Sequence, residues 1–231
     1  MNALILHGIT RANTPIPEGS THHHRVDVDG MIGLVSCSET EPSKMNDTPD
    51  LLMNAALEHH LLLSHYTQYA PVIPVRIGTA FKGIPQIRQA LSKASVRLSK
   101  ELCRLADHSE YTLQVKASHI PRVSSSAAES GRDFLAARRD AVMVRRSILQ
   151  RQKDYLAGIA NTLSAVVREV QEIEARAAAE SSSFAILVST KQVSKLIELC
   201  RALANKAEPL GLGLTLTGPG PLYSFSSINN D

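Results

Sequence analysis

The stretch LAARRDAVMVRRSILQRQKDYLAGIANTL, residues 135–163, has an apolar side chain at every seventh position. This repeat extends beyond the stretch and comprises Leu135, Val142, Leu149, Leu156, Leu163, Val170 and Ala177. An apolar residue every seven positions lies on one face of an α-helix. The register does not change across Gly158, so the sequence predicts one helix over about residues 127–176 rather than a helical hairpin. We expect this helix to be the longest element of the protein.

A second set of positions, also spaced by seven residues, runs beside the repeat, and its side chains change in polarity along the helix. Its members are Arg138, Arg145, Gln152, Ile159, Val166 and Ile173, which are polar early and apolar late. The charge follows the same gradient, since residues 132–153 carry seven basic and two acidic side chains. Two interpretations of the seven-residue stripe are open: it packs on the protein's own sheet, or it meets a partner helix.

Strands are predicted on both sides of this helix. Residues 111–118 alternate apolar and polar side chains, as half-buried strands do, and residues 184–188 form the continuous apolar run of a central strand. A helix after Thr190 and an alternating strand over residues 210–217 follow, with a short final strand at 223–225. The order strand, long helix, strand, helix, strand is similar to a ferredoxin-like sandwich that lacks one strand.

The N-terminal half predicts a separate α+β unit. Residues 3–9 favour a buried strand, Asp29-Gly30 a hairpin turn, residues 50–69 a helix, and residues 84–105 an amphipathic helix. A polar break at residues 107–110 separates the halves. The predicted fold class is therefore α+β with two domains, at residues 1–107 and 108–231.

Composition limits the function. The chain has 231 residues, and 25 Lys+Arg against 22 Asp+Glu leave a net charge of +3. This small excess, with four Phe, five Tyr and no Trp, argues against a nucleic-acid-binding surface. The three cysteines form no C-x-x-C motif, and we expect them to be small buried side chains in a reducing compartment. The N-terminus lacks the features of a signal peptide, and no segment suggests a membrane span, so a cytoplasmic protein is expected.

Catalytic and ligand-binding motifs are also missing from the sequence. Residues 78–83 contain two glycines, but Lys82 precedes the second one and is misplaced for a P-loop. His59, His60 and His65 do not have the spacing of a helical metal pair, and there is no H-E-x-x-H, G-x-G-x-x-G or G-x-S-x-G motif. We therefore expect no catalytic residue, no cofactor and no metal site.

Three segments resemble the gas vesicle protein GvpF/GvpL family in the expected order. Residues 216–225, LTGPGPLYSF, are similar to the family's terminal L-T-G-P-W-P-P-Y-S-F, with Gly220 in place of the tryptophan and Leu222 in place of the second proline. Residues 74–81, PVRIGTAF, resemble P-[VL]-R-F-G-T-x-F, and residues 130–139, SGRDFLAARR, resemble the G-R-x-Y-L-x-x-R-R opening of a long helix.

The resemblance implies a non-enzymatic accessory or minor structural protein, needed for assembly of the gas vesicle and located there. It implies binding to the small hydrophobic major shell subunit and to other accessory proteins, with no nucleic acid or membrane partner. It also implies a C-terminal modified ferredoxin-like domain. A coiled-coil oligomerisation or adaptor protein and a ligand-binding ferredoxin-like module are the alternatives, and we expect a monomer in isolation.

Two regions are candidates for the contact with the shell subunit: the Gly/Pro-rich tail over residues 210–228 and the outer half of the long helix. Tyr223 and Phe225 are expected to anchor the tail to the C-terminal sheet, whereas Leu222 should lie at the rim and contact the partner. The candidate contact residues are Leu216, Gly218, Pro219, Pro221, Leu222, Tyr223, Phe225, Arg138 and Arg145.

Overall fold

A computed structural model describes residues 3–15, 23–38, 49–117, 131–173 and 181–226. The chain divides into two compact units. Unit 1 contains Met1–Glu110 together with Gly218–Asp231, and unit 2 contains Tyr111–Thr217. The predicted second domain included the C-terminal tail, whereas packing groups the tail with unit 1.

Unit 1 is built on an antiparallel sheet. Its strands are β1 (Ala3–Arg11), β2 (His23–Val28), β3 (Met31–Ser38), β4 (Ile73–Pro74) and β5 (Ala80–Phe81). They lie in the order β2-β3-β1-β4, and β5 also pairs with β1. The turn between β2 and β3 has positive φ at Asp29 (49°) and Gly30 (79°), the backbone that a type I′ turn requires. The predicted hairpin is therefore confirmed.

The described residues of unit 1 also form the helices α1 (Pro49–Thr67), α2 (Ile84–Lys93) and α3 (Ser95–Arg104). Leu62, Leu63 and Tyr66 of α1 are buried with Ile32 and Leu34 of β3. The amphipathic helix predicted over residues 84–105 is divided at Ala94, whose φ of −96° and ψ of 2° interrupt the helical backbone. Periodicity alone does not reveal such a break, because the apolar face continues from α2 to α3.

Unit 2 contains helices and strands in alternation. Its elements are β6 (His108–Ala117), α4 (Gly131–Ser164), β7 (Glu169–Ile173), β8 (Ser181–Ser189), α5 (Val193–Ala207) and β9 (Leu212–Gly220); the ends of β6 and β9 extend into unit 1. Two 3₁₀ turns, Thr190–Gln192 and Glu208–Leu210, flank α5. The strands lie in the order β7-β8-β6-β9. The core of unit 2 contains side chains from α4, α5, β6 and β8.

The prediction for the long helix is wrong at its C-terminal end. The helix α4 passes Gly158 without a break, but it ends at Ser164, and residues 169–173 form the strand β7. After Ser164, Val167 N–H donates to the Leu163 carbonyl, and Arg168 N–H already donates to the Leu187 carbonyl of β8. Val170 then pairs with Ile186 in the antiparallel ladder. The strand that the predicted sandwich lacked is therefore β7, which occupies residues predicted as the last turns of the helix.

Two smaller expectations are also wrong. Residues 223–225 form a turn instead of a final strand. Of the three cysteines, only Cys200 is buried, whereas Cys37 and Cys103 are exposed. Cys37 lies near the end of β3 and Cys103 in the last turn of α3, where side chains on the outer face meet solvent.

Helix α4 begins in the structure at Gly131, and the predicted residues 127–130 and 174–176 lie outside the described residues.

Candidate partner-binding site

The C-terminal tail is held in unit 1 by a buried carboxylate. Ser224 donates two hydrogen bonds to Glu110: its backbone N–H to Oε2 and its hydroxyl to Oε1, both at 2.9 Å. Glu110 is 6% exposed, and burial raises the pKa of its carboxyl to about 7, although the two bonds from Ser224 act in the opposite direction. A carboxyl that is protonated can keep both contacts by donating to the Ser224 hydroxyl.

Apolar side chains on either side of Ser224 fix the tail further. Leu222 is 1% exposed and Phe225 is 4% exposed. The Arg104 guanidinium donates to the Phe225 carbonyl and also pairs with Glu101 at 2.8 Å. The expectation that Leu222 lies at the rim is therefore wrong, because its side chain is buried within unit 1.

Tyr223 points away from these two residues. Tyr223 is 39% exposed, and its ring stacks on the His60 ring of α1, with 6.0 Å between ring centroids. The turn at residues 223–225 separates Tyr223 from Phe225, which an extended chain would have placed on one side. The predicted anchor differs from the one observed: the Tyr223 ring packs on α1, and the tail is bonded to the C-terminal sheet through Ser224, which donates to Glu110 of β6. Burial, and secondarily the Glu110 carboxylate, raise the pKa of Tyr223 to about 12.

A buried histidine pair lies beside this anchor. His7 Nε2 lies 2.7 Å from the Ser36 hydroxyl, and His7 Nδ1 lies 3.2 Å from His59 Nδ1. Burial, and secondarily the charge of His60, lower the pKa of His59 to about 4, so the His59 ring is a neutral imidazole near pH 7. The three residues join β1, β3 and α1. A serine next to a histidine suggests a nucleophile, but the third member is a neutral imidazole instead of a carboxylate that would stabilise an imidazolium. The arrangement is best explained as a polar link within the core.

Helix α4 is exposed in its first half and buried in its second. On the seven-residue line the exposed fraction falls from 65% at Leu135, through 60% at Val142 and 40% at Leu149, to zero at Leu163. Leu156, between the last two, packs against the core of unit 2. The interpretation that the stripe packs within the protein is therefore confirmed for the second half of the helix, and contact with a partner helix stays a prediction for the first half.

Two arginines lie on the exposed continuation of the core-facing line. Arg138 and Arg145 are fourteen and seven residues before Gln152, respectively; Gln152 is 6% exposed, and Ile159, one heptad further, is 1% exposed. Gln152 meets its hydrogen-bonding requirement by donating to the Leu210 carbonyl at 2.7 Å. Arg138 and Arg145 are exposed, and no hydrogen bond or ion pair to them is found in the described part of the chain. Their guanidinium groups are thus available to a partner.

Two features are absent from the part of the chain that the structure describes. No helix there is long and apolar enough to cross a membrane. No cluster of three or more His, Cys, Asp or Glu side chains in those ranges is arranged to hold a metal ion.

Comparison with known proteins identifies the family. The sequence profile described as "Gas vesicle synthesis protein GvpL/GvpF" matches residues 5–227. The chain belongs to the GvpL/GvpF family. No curated protein matches the sequence.

Solved structures agree with this family membership. The crystal structure of the gas vesicle protein GvpF from Anabaena sp. PCC7120 is similar with a TM-score of 0.72 and 17% identity, covering 99% of this chain and 98% of that one. GvpF from Microcystis aeruginosa is similar with a TM-score of 0.67 and 16% identity, covering 96% and 98%. At such identities the likeness concerns the fold.

The structure assigns different positions to the candidate contact residues of this GvpL/GvpF chain. Leu216 packs against the core of unit 2, and Pro221, Leu222 and Phe225 are buried in unit 1. Gly218, Pro219, Tyr223, Arg138 and Arg145 are exposed. For the five exposed residues a contact with a partner stays a prediction, whereas the four others pack within the chain.

Sequence reasoning missed the groups that hold the tail of this family member. Glu110 falls in the polar break taken as a boundary, and its partner Ser224 is 114 residues away. Arg104 is one of many basic residues on helices. The available signal was the family signature itself, since a serine between Tyr223 and Phe225 suggests a polar contact inside an otherwise apolar motif.

Proposed function

We propose that this chain is an accessory or minor structural protein of gas vesicles, needed for their assembly and non-enzymatic. It binds the small hydrophobic major shell subunit, associates with other accessory proteins, and acts in the cytoplasm and at the gas vesicle. Family membership over residues 5–227 supports the setting. The observation that carries the binding role is the exposed apolar face of α4, because an unassembled hydrophobic subunit needs a complementary apolar surface.

The exposed face supports the first half of α4 as the place of contact. We define the α4 face as the outward continuation of the core-facing side: Phe134, Leu135, Arg138, Val142, Arg145 and Leu149. Its four apolar members are 40–65% exposed. Side chains so exposed contribute little to the fold, so their availability suits a partner that covers them.

The architecture of unit 2 supports a related structural proposal. Its elements follow the order β-α-β-β-α-β, with strands in the order β7-β8-β6-β9. This is the element order of the ferredoxin-like sandwich. Unit 2 is a modified ferredoxin-like domain in which an overlong first helix extends beyond the sheet, and the two units act as separate domains.

A pull-down of co-expressed proteins tests the binding role. The major shell subunit encoded with this chain is co-expressed with the tagged parent and with the double variant Leu135→Ser/Val142→Ser. Both substituted positions are exposed, so the melting temperature should change little. The parent should retain the shell subunit, and the variant should lose most of it.

Met143→Ser is the matched control. Met143 is on α4, is 63% exposed, and points away from the α4 face at 3.6 residues per turn. It should bind like the parent. If the parent does not retain the shell subunit at all, the binding role is wrong; if the double variant binds normally, the contact lies elsewhere.

A coiled-coil adaptor is the second candidate function. The heptad line of Leu135, Val142 and Leu149 favours it, because such a line is the seam of a coiled coil. In the adaptor the same face would join two accessory proteins instead of receiving the shell subunit. Retention of an accessory protein, with no retention of the shell subunit, would favour this function.

A further inference from the structure

The α4 face contains a charge pattern that restricts what can cover it. Arg138 and Arg145 stand between two apolar lines, with Leu135 and Val142 on one side and Phe134 on the other. One heptad along a helix is about 10.5 Å, which is therefore the spacing of the two guanidinium groups along the face. Any partner that dehydrates the apolar lines also covers these two charges.

Burial of these charges requires acceptors from the partner. Gln152, on the same line of the helix as Arg138 and Arg145, illustrates this requirement. Its side chain is buried, and its amide donates a hydrogen bond to the Leu210 carbonyl. A buried guanidinium without an acceptor costs far more than an amide in the same position, whereas a carboxylate opposite it provides a bidentate charge-assisted pair. The partner must therefore present carboxylates at a spacing of about 10 Å among apolar side chains.

We propose that the α4 face binds an acidic amphipathic helix of a partner protein, with two carboxylates one heptad apart opposite Arg138 and Arg145. The heptad period of the face favours a helix as occupant, because knobs-into-holes packing repeats every seven residues on both partners. The identity of the protein that supplies the helix rests on the proposed function; the chemistry of the helix does not.

A second copy of this chain does not satisfy this requirement. Pairing two α4 faces would bring four arginines together in either orientation, and the flanking Arg139 and Arg146 would add to the repulsion. An anionic membrane is disfavoured for a different reason. Helices that lie on membranes keep their basic residues on the polar side, whereas Arg138 and Arg145 lie in the middle of the apolar face.

The test uses a designed helical peptide as probe. Two glutamates, one heptad apart, lie at the centre of its apolar face, and leucines lie on either side of them. Two sister peptides carry glutamine or lysine in place of both glutamates. Affinity for the full-length protein is measured by fluorescence anisotropy at low and at high salt. The glutamate peptide should bind best, and the lysine peptide should bind at least about tenfold more weakly.

Charge reversal on the protein makes the test specific. The variant Arg138→Glu/Arg145→Glu should reverse the preference and bind the lysine peptide more tightly. The control Arg139→Glu/Arg146→Glu makes the same change in charge one residue further along and should keep the preference for glutamate. All four positions are exposed, so circular dichroism and melting temperatures should match the parent.

Several results would overturn the inference. It is wrong if the three peptides bind equally, if none binds, or if both charge-reversal variants behave alike. Sedimentation with phosphatidylglycerol vesicles that depends on Arg138 and Arg145, without peptide binding, would assign the face to membranes. Failure of the shell-subunit pull-down is a separate result: a positive peptide test with a negative pull-down would leave the inference standing and remove the proposed function.

Discussion

Glu110 and Ser224 show at the scale of single residues how a distant contact fixes a terminal segment. The family signature at residues 216–225 contains many apolar and turn-forming residues, yet its polar Ser224 makes both hydrogen bonds to Glu110. Because Glu110 is only 6% exposed, its carboxyl group needs hydrogen-bonding partners within the protein. The serine of the signature thus has a physical role in fastening the tail.

We predict that Glu110→Gln changes the pH dependence of stability. Burial raises the folded-state pKa of Glu110 to about 7 from 4.5, so the folded chain holds a proton that the unfolded chain releases. Its contribution to the free energy of unfolding is complete below pH 4.5 and is lost as the pH rises to about 7. Glutamine keeps both contacts with Ser224 and does not titrate, so this loss should vanish.

The measurement is the free energy of unfolding between pH 4.5 and 7, taken as the difference between variant and parent. The difference is needed because His59, with a pKa lowered to about 4, has the opposite effect and stabilises the fold as the pH rises from 4 to 6.5. A difference that stays constant over this range would contradict the raised pKa of Glu110.

Leu222→Ala should destabilise unit 1 by about 2–5 kcal/mol, because it leaves a cavity at a site that is 1% exposed. The matched control is Leu61→Ala in α1, where the same change at 59% exposure should cost less than about 0.5 kcal/mol. Urea unfolding of both variants measures the two costs. Similar losses for the two variants would show that the tail is not packed as described.

At the scale of elements, α4 combines two environments in one helix. From Leu156 onward its face contributes to the core of unit 2, where Ile159 and Leu163 are fully buried. Before Leu149 the same face meets solvent. Helical geometry continues because the backbone bonds are local, while burial depends on how far the sheet extends beneath it.

Gly158→Ala should stabilise α4 by about 0.5–1 kcal/mol, since alanine is the better helix former. A Cβ at Gly158 would meet nothing within 4 Å. The control is Gly8→Ala in β1, where a Cβ would lie 2.6 Å from Leu63 Cδ2 and 3.0 Å from the Ile73 carbonyl oxygen, and which should be destabilising. Thermal melts compare the two; a loss of stability in Gly158→Ala would contradict an open environment at that position.

At the scale of the whole molecule, the surface charges determine how copies of the chain interact. The net charge of +3 is small, but the first half of α4 concentrates arginines around its apolar residues. Apolar surface favours association, whereas like charges at its centre oppose association between identical faces. The arginines therefore oppose self-association of the free protein through the α4 face, while the face stays accessible to an acidic partner.

We predict that the protein is a monomer of 25.1 kDa in solution and that Arg138→Leu/Arg145→Leu converts it into a dimer or higher oligomer. The substitution extends the apolar face and removes the repulsion between copies. Light scattering after gel filtration over a range of concentrations measures both states. Arg139→Leu/Arg146→Leu is the control and should associate less. A parent that is already a dimer, or a variant that stays a monomer, would contradict the role of the two central arginines.

The sequence by itself determined the local elements of the protein and its family. Asp29-Gly30 defines a hairpin because few dipeptides accept positive φ at both positions. Residues 184–188 are a strand because a short, continuous apolar run is typical of a strand buried on both faces. The three ordered motifs were sufficient to recognise GvpL/GvpF, as the match over residues 5–227 confirms.

Only the tertiary structure decided where α4 ends, which half of its face is buried, and where the tail lies. Residues 165–173 fit a heptad and are also rich in β-branched side chains, and the free edge of β8 decides between helix and strand by supplying partners such as the Leu187 carbonyl. The tail depends on Glu110, which is more than a hundred residues away. Periodicity and turn chemistry act over a few residues, whereas burial and pairing depend on segments that only the folded chain brings together.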